Sequence, residues 1–388
     1  MPEVLWTPSA ETVARSRLTE FARFVGRDGA SYDELWRWSV SDVEAFWAAV
    51  WSFFDVQASR PYEHVLASHA MPGARWFTGA ELSYAEHLFR DRDDDAVAIV
   101  HASELRDQQE LTWGELRAAT ASIRAGLQAH GVGRGDRVAA YLPNVAETVA
   151  AFLACASLGA VWSSAAPEFG VRSVVDRFAQ IEPKVLLAVD GYRYGGKDFD
   201  RRPAVDELRR ELRPEHVFVL PYLGREGNWD ELQGEGALDF EQLPFDHPLW
   251  VLYSSGTTGL PKPIVHGQGG ILVEQLKLLN LQLDLGQRDR LFWFTTTGWM
   301  MWNFLVGGLL TGAGIVLYDG NPATPTLDRL WDLAASAGIT CFGTSAAFVN
   351  ACMKAGTRPR AGGRDLTRVR SVGSTGSPLS PEAFRWVY

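Results

Sequence analysis

Cysteine is scarce in this chain of 388 residues: Cys155, Cys341 and Cys352 are the only three, and they lie far apart among apolar or small neighbours. None belongs to a CxxC pair or to a spacing typical of metal ligands, which argues against a disulfide framework and a cysteine-based zinc site. The sequence gives no argument for a cysteine nucleophile either. We expect all three to be reduced core residues of a cytoplasmic protein.

Basic runs and long apolar segments are missing as well. The formal net charge is −10, and without a basic stretch nucleic acid is not an expected partner. The longest apolar stretch, residues 145–160, contains Glu147 and is shorter than the roughly 20 residues of a membrane-spanning helix. Residues 1–18 lack the charged and apolar regions of a secretory signal. We therefore expect no membrane segment.

What is present is typical of a globular protein, with 46% hydrophobic and 22% charged residues. The length suggests two or three packing units. Residues 1–110 predict a helical extension, because aromatic residues recur at helical spacing over 33–54, with a helix start near Asp42. Residues 111–248 predict a first α/β subdomain. Residues 249–388 predict a second α/β subdomain that contains a phosphate loop and is incomplete at its C-terminus.

Strands and helices alternate through residues 111–388. Apolar runs typical of buried strands are followed by helical patterns, which predicts an α/β fold with mostly parallel sheets covered by helices. The predicted strands cover residues 137–142, 161–166, 184–189, 216–220, 249–253, 264–266, 290–296, 314–318, 339–343 and 369–373. The predicted helices cover 111–130, 145–158, 171–180, 270–281, 302–310, 327–337 and 345–354, and a last one begins at Ser380.

A loop rich in glycine and hydroxyl groups joins two of these strands. Its glycines allow backbone N–H groups to turn toward an anion, its hydroxyls can donate to phosphate oxygens, and a lysine adds positive charge. The combination predicts a polyphosphate site, and an ordinary turn between strands is the alternative. The predicted ligands are Ser254, Ser255, Gly256, Thr257, Thr258, Gly259 and Lys262.

Two segments approach the Walker pattern without matching it. In the loop above, Leu260 and Pro261 separate the second glycine from the lysine. Residues 191–198, GYRYGGKD, have the Walker spacing, but Asp198 stands where a serine or threonine is needed, and its carboxylate would repel phosphate. We therefore do not expect a Walker-type NTPase or kinase site, although that alternative would place ATP at Lys197. His266 is expected to be a structural, hydrogen-bonded residue.

Residues 253–266, YSSGTTGLPKPIVH, closely resemble the signature of adenylate-forming enzymes, the superfamily that includes acyl-CoA synthetases. The resemblance implies a large N-terminal domain of stacked parallel sheets, the use of ATP, CoA and Mg²⁺ carried by ATP, and catalytic roles for Lys262 and Thr258. In that superfamily a mobile C-terminal domain supplies the catalytic lysine. We expect that domain to be absent from this chain, and the chain alone to be inactive.

Further segments extend the resemblance to short-chain acyl-CoA synthetases, through residues 74–79, and to the acetoacetyl-CoA synthetase group, through residues 294–308 and 373–388. The implied substrate is acetoacetate, and the implied products are acetoacetyl-CoA, AMP and pyrophosphate. The resemblance implies an acyl pocket, nucleotide contacts and a contact with the 3′-phosphate of CoA. The residues implied for the acyl pocket are Trp299, Met300, Met301 and Thr375. Those implied for the nucleotide contacts are Gly376, Ser377 and Pro378, and the residue implied for the contact with the 3′-phosphate is Arg193.

Two positions depart from that pattern. Relatives mostly carry an acidic residue where this chain has Thr297, and a second arginine is common where it has Gly196. The first departure leaves the role of Thr297 open, and the second removes a CoA contact unless Lys197 replaces it. Two alternatives remain. One is an acetyl-CoA or other short-chain acyl-CoA synthetase, and the other is a non-catalytic nucleotide-binding protein.

Overall fold

The computed structural model describes residues 4–254 and 259–388. The helices α1 to α14 are Ala10–Arg15, Arg17–Phe24, Tyr32–Ser41, Val43–Phe53, Tyr84–Phe89, Trp113–Ala129, Ala146–Ser157, Val171–Phe178, Arg202–Leu212, Gln268–Gln275, Met300–Gly307, Arg329–Ser336, Ala346–Lys354 and Pro381–Val387. The strands β1 to β18 are His64–Ser68, Arg75–Thr78, Glu81–Leu82, Val97–Ser103, Gln109–Thr112, Arg137–Tyr141, Val161–Ala165, Val185–Val189, Gly191–Tyr194, Lys197–Asp200, His216–Leu220, Leu243–Pro244, Pro248–Ser254, Lys262–Gly267, Arg290–Trp293, Gly314–Asp319, Cys341–Ser345 and Ser371–Thr375. Among these described helices, none combines the length and the apolar character needed to cross a bilayer.

Five parallel strands and one antiparallel edge strand form the first sheet of the described residues, in the order β11-β8-β6-β7-β13-β14. Every residue of β7 and β8 is buried, as expected for parallel strands covered on both faces. The edge strand β14 pairs with β13 and places Lys262 opposite Ser254. The predicted phosphate loop therefore connects a central and an edge strand of one sheet.

The second sheet repeats this arrangement in the order β18-β17-β15-β16-β4-β5. Its strands are parallel except for β5, which runs antiparallel to β4 at the edge. Strand β4 comes from the N-terminal part of the chain and lies beside β16, with Ile99 opposite Ile315. The two sheets thus share one plan, in which an antiparallel strand closes one edge of a parallel set.

The predicted α/β fold, with parallel sheets flanked by helices, is confirmed. Strand β11 has the predicted limits, and the last helix begins as expected, because the Ser380 hydroxyl accepts a hydrogen bond from the backbone N–H of Ala383. Helix α6 begins at Trp113 rather than Leu111, because Thr112 and Glu115 form a capping box at that point. Strands β4 and β5 were not predicted from the sequence.

The helical pattern predicted for residues 33–54 corresponds to α3 and α4. The two helices separate at Asp42, whose side chain accepts a hydrogen bond from the N–H of Ala45. Trp51 of α4 stacks on Phe77 with ring centroids 4.7 Å apart, and Phe77 contacts Phe245, just ahead of β13. The N-terminal helices are therefore anchored on the first sheet by aromatic packing. The limits of the three predicted units stay a prediction.

The three cysteines are buried and free of disulfides, as expected. Burial raises the pKa of the Cys155 thiol, and likewise the pKa values of Cys341 and Cys352. A thiol held in its protonated form is a poor nucleophile. These residues are therefore part of the core packing rather than the chemistry.

Candidate functional site

The carboxyl ends of the two sheets are joined by buried hydrogen bonds. The Thr297 hydroxyl donates to the carbonyl oxygen of Leu142 at 2.7 Å, and the Ser164 hydroxyl donates to the carbonyl oxygen of Thr297 at 2.6 Å. The Asn144 side-chain oxygen accepts a hydrogen bond from the Trp302 indole at 3.0 Å. Leu142 and Asn144 follow β6, whereas Thr297 follows β15. Because α/β sheets bind ligands at the carboxyl ends of their strands, this junction is the candidate site.

Thr297 is a structural joint within this junction. It is fully buried, at 0% exposure, and both its hydroxyl and its carbonyl oxygen are hydrogen-bonded to the first sheet. A carboxylate at this position would meet the carbonyl oxygen of Leu142 and could not donate to it. The hydroxyl is therefore the group that this packing accommodates.

Helix α11 begins directly beyond this joint. Trp299 and Met300 are 60% and 54% exposed, whereas Met301 packs partly against the core. The Trp299 ring meets Phe169, which follows β7, with ring centroids 6.3 Å apart. Exposed aromatic and thioether side chains at a strand end are the groups from which apolar pockets are built. An acyl-binding role for these residues stays a prediction.

Strand β18 brings a second predicted segment to the same edge of the second sheet. The strand extends two residues beyond its predicted end, so Thr375 is its last residue, and the exposed turn 376–378 follows with Gly376 at φ +88°. Phe304 of α11 packs against Trp293, with ring centroids 5.3 Å apart. Trp293 in turn lies against Gly373 of β18. The start of α11 and the end of β18 are thus linked by continuous packing.

The predicted phosphate ligands lie on the hairpin of β13 and β14. Ser255, Gly256, Thr257 and Thr258 are outside the described residues. Ser254 and Lys262 face each other across the hairpin, and Gly259 has φ +112°, a backbone conformation that favours glycine. Within residues 4–254 and 259–388, the exposed Lys262 side chain has no hydrogen bond or ion pair. None of these described residues therefore competes with an anion for its ammonium group.

The second Walker-like segment forms a β-hairpin, β9 and β10, instead of a phosphate loop. Arg193 Nε donates to Asp198 Oδ1 at 2.6 Å across the two strands, and this bond holds the pKa of Asp198 below its usual value. The backbone N–H groups of Gly195 and Gly196 donate to the two carboxylate oxygens of Glu104, at 2.8 and 2.6 Å. Because an internal carboxylate occupies the anion position of this turn, it does not support ATP binding at Lys197.

His266 has the structural position expected from the sequence. The indole N–H of Trp250 donates to His266 Nδ1 at 2.9 Å. Burial lowers the pKa of His266, which favours the neutral imidazole. The residue therefore joins β14 to the core of the first sheet.

Sequence reasoning missed Asp319, which ends β16 beside the junction. The Tyr222 hydroxyl donates to its Oδ2 at 3.1 Å. The residue keeps some exposed surface, but its carboxyl group is withdrawn from water, and this burial raises the pKa of Asp319 to about 7, with a further contribution from the Glu168 carboxylate. A polar residue directly after the predicted strand 314–318 was the available signal.

Asp319→Asn is expected to stabilise the fold increasingly as the pH rises. An unfolded Asp ionises near a pKa of about 4, whereas the folded pKa is about 7. Between these values the folded wild type holds a proton that the unfolded chain has lost, so its stability falls with rising pH, and it stays lower above pH 7. The asparagine avoids this cost and still accepts the Tyr222 hydroxyl. From pH 5 to pH 8 we expect the free energy of unfolding of Asp319→Asn, relative to that of the wild type, to rise by about 1–3 kcal/mol, measured by urea titration. If the free energies of unfolding of the two proteins differed by the same amount at every pH in this range, that result would contradict the raised pKa.

Comparison with known proteins identifies the family. The profile described as "AMP-binding enzyme" matches residues 87–388, and the profile described as "Acetyl-coenzyme A synthetase N-terminus" matches residues 32–88. The chain belongs to the AMP-binding enzyme family. The hairpin that carries Lys262, the start of α11 and the end of β18 all lie within the part that matches this family.

Individual relatives in the family cover essentially the whole chain. The acetoacetyl-coenzyme A synthetase of Rhizobium meliloti (strain 1021) is 44% identical over 99% of this chain and 61% of its own length. The malonamoyl-CoA synthetase of Penicillium aethiopicum is 34% identical over 100% of this chain and 59% of its own length. The structure of acetoacetyl-CoA synthetase from Streptomyces lividans is 53% identical, with a TM-score of 0.96 over 100% of this chain and 62% of that one. The chain thus spans about three fifths of the length of these relatives.

Proposed function

We propose that the protein is an ATP-dependent acid–thiol ligase that activates acetoacetate as an acyl-adenylate and transfers the acyl group to CoA. The observation that supports this proposal is the geometry at the carboxyl ends of the first sheet. The Lys262 hairpin ends there, and at the same edge Thr297 leads into α11, whose Trp299 and Met300 are exposed. The names of the relatives from Rhizobium meliloti and Streptomyces lividans support acetoacetate as the acid.

In the first half-reaction a carboxylate oxygen of the acid attacks the α-phosphorus of ATP. The bond from that phosphorus to the oxygen bridging it to the β-phosphorus breaks, and pyrophosphate leaves. Since two anions must approach each other, the protein contributes mainly positioning and charge neutralisation. Lys262, Thr258 and the rest of loop 254–259 would hold the β- and γ-phosphates, and Gly376, Ser377 and Pro378 would contact the nucleotide.

In the second half-reaction the sulfur of CoA attacks the carbonyl carbon of the acyl-adenylate. The bond from this carbon to the AMP oxygen breaks, AMP leaves with that oxygen, and the thiol proton passes to solvent. Arg193 would meet the 3′-phosphate of CoA, which requires it to exchange its bond to Asp198 for the phosphate. Met301 and Thr375 would line the acyl group together with Trp299 and Met300.

Mg²⁺ fits this site as a companion of the nucleotide. The Lys262 ammonium group and backbone N–H groups are donors only, so they bind phosphate oxygens and cannot ligate a cation. Mg²⁺ usually keeps several water ligands and binds substrate phosphates. When bound, it would neutralise charge on the triphosphate, and Lys262 would add to that neutralisation from the protein side.

Malonamate is a second candidate acid, because one relative is named malonamoyl-CoA synthetase. Acetoacetyl and malonamoyl groups have the same number of non-hydrogen atoms, and both carry a carbonyl group on the third carbon. They differ at the end, which is a methyl group in one and an amino group in the other. The carbonyl on the third carbon is thus the feature that either substrate would present to the acyl pocket.

ATP–pyrophosphate exchange in the intact protein tests the proposed function. Acetoacetate, malonamate, acetate, propionate and butanoate are compared at equal ATP, and acetoacetate is expected to give the highest kcat/KM. A preference for acetate or propionate would overturn the acetoacetate assignment in favour of another short-chain acyl-CoA synthetase. ATP binding without exchange for any acid would instead support a non-catalytic nucleotide-binding protein.

A further inference from the structure

Asn303 carries a buried amide without a hydrogen-bond partner. The residue is 1% exposed, and in the described part of the chain neither its Oδ1 nor its Nδ2 is hydrogen-bonded. Two other asparagines are similarly buried, Asn144 and Asn280, and each is hydrogen-bonded through both ends of its amide. Buried amides are normally paired, so this one has both a donor and an acceptor left for a ligand or a water molecule.

Asn303 lies one turn beyond the exposed start of α11. Positions three and four residues apart share a face of a helix, which places Asn303 on the face of Met300 and next to Trp299. The neighbouring helix α10 approaches through Gln275, whose Nε2 donates to the backbone oxygen of Asn303 at 3.0 Å. The Oε1 of Gln275 accepts the Tyr84 hydroxyl at 2.8 Å. Gln275 is thus engaged elsewhere and leaves the Asn303 amide unpaired.

The residue that follows Asn303 packs α11 against the second sheet. Phe304 packs on Trp293, which lies against Gly373 two residues before the end of β18 at Thr375. Helix α10 begins directly after β14, the strand that starts at Lys262. Asn303 is therefore held by α10 through Gln275, lies one turn from the exposed start of α11, and is next in sequence to the residue that packs through Trp293 toward β18.

We propose that Asn303 determines acid specificity by donating a hydrogen bond from Nδ2 to the carbonyl oxygen on the third carbon of the acyl chain. The inference rests on the proposed function and adds the group that recognises the acid. A carboxamide is neutral, so it donates to a ketone or amide oxygen without attracting or repelling the carboxylate of the substrate. The unbranched Met300 side chain, exposed one turn earlier on the same face, shifts aside to admit the acyl group.

Asn303→Leu in the intact protein separates this role from a structural one. Leucine matches the shape of asparagine and removes both unpaired polar atoms, so the ligand-free variant is expected to gain about 2 °C or more in Tm. At the same time the ratio of kcat/KM for acetoacetate to that for butanoate, which has a methylene group on the third carbon, is expected to fall roughly 10- to 100-fold. Asn303→Asp, which places an acceptor and a negative charge at this position, should also lose acetoacetate activity.

Asn280→Leu is the matched control, since it removes a buried amide that is already hydrogen-bonded. It should lower Tm and leave the ratio of the two acids unchanged. An unchanged ratio in Asn303→Leu, with acetoacetate still preferred by the wild type, overturns the inference and leaves the proposed function intact. A wild type that fails to activate acetoacetate overturns the proposed function itself. A lower Tm of Asn303→Leu with an unchanged ratio identifies Asn303 as a packing residue only.

Discussion

Lys262→Ala is expected to lower kcat/KM for ATP in pyrophosphate exchange by roughly 10²–10³-fold, the loss typical of removing one preorganised charged or hydrogen-bonding group from a transition state. The Lys262 side chain is exposed and unpaired within the described ranges. Its removal should therefore leave the Tm of the free protein within about 1 °C of the wild type, because no hydrogen bond or ion pair with the described residues is lost. Exchange kinetics and a thermal melt on the same preparations measure both quantities.

Two further lysine variants sharpen this test. Lys354→Ala, at the end of α13, removes an exposed lysine far along the chain from the hairpin and should leave both quantities unchanged. Lys197→Ala addresses the alternative in which residues 191–198 bind ATP. Loss of ATP binding in Lys197→Ala, together with full exchange activity in Lys262→Ala, would reject the role of the β13–β14 hairpin.

Gly343→Ala is expected to destabilise the protein by about 3 kcal/mol or more, the upper range for overpacking a core. A Cβ atom at Gly343 would lie 2.1 Å from Trp293 Cδ2, and one at Gly373 would lie 2.5 Å from Trp293 Cη2. The two glycines are opposite each other on β17 and β18, so together they form the flat surface on which the indole lies. A methyl group must therefore move the indole, together with Phe304 of α11, which packs against it.

Urea titration of single and double variants measures this effect. Gly343→Ala combined with Trp293→Leu should be more stable than the sum of the two single effects by about 1 kcal/mol or more, because the smaller side chain removes the clash. Gly270→Ala in α10 is the control, since a Cβ there meets no atom within 4 Å; it should be neutral or stabilising by up to about 1 kcal/mol. Additive single effects would show that the indole is not the obstacle.

Much of the fold of residues 111–388 could be predicted from local patterns. Strands β8 and β11 are apolar runs that match their predicted limits within one residue. By contrast β4, also an apolar run, was missed because its partner β16 lies far along the chain and its place in the sheet depends on that pairing. Local patterns predict that a strand exists more readily than which sheet it joins.

The candidate site divides in the same way. The loop around Lys262 and the segments at Trp299 and Thr375 were indicated by residue type and by their position after strands, and their roles stay predictions. Asp319 and Asn303 were not indicated, because an aspartate after a strand and an asparagine in a helix are ordinary in sequence. Their significance comes from burial and from what does or does not contact them.

The sequence by itself determined the α/β alternation, the strand–loop–strand hairpin and the starts of α4 and α14, because each depends on residues within a few positions of one another. Only the tertiary structure decided that Thr297 joins the two sheets, that Glu104 occupies the turn of the Walker-like segment, and that the buried Asn303 amide has no partner among the described residues. Those features arise where distant parts of the chain exclude water from the same small volume, and no local pattern encodes that exclusion.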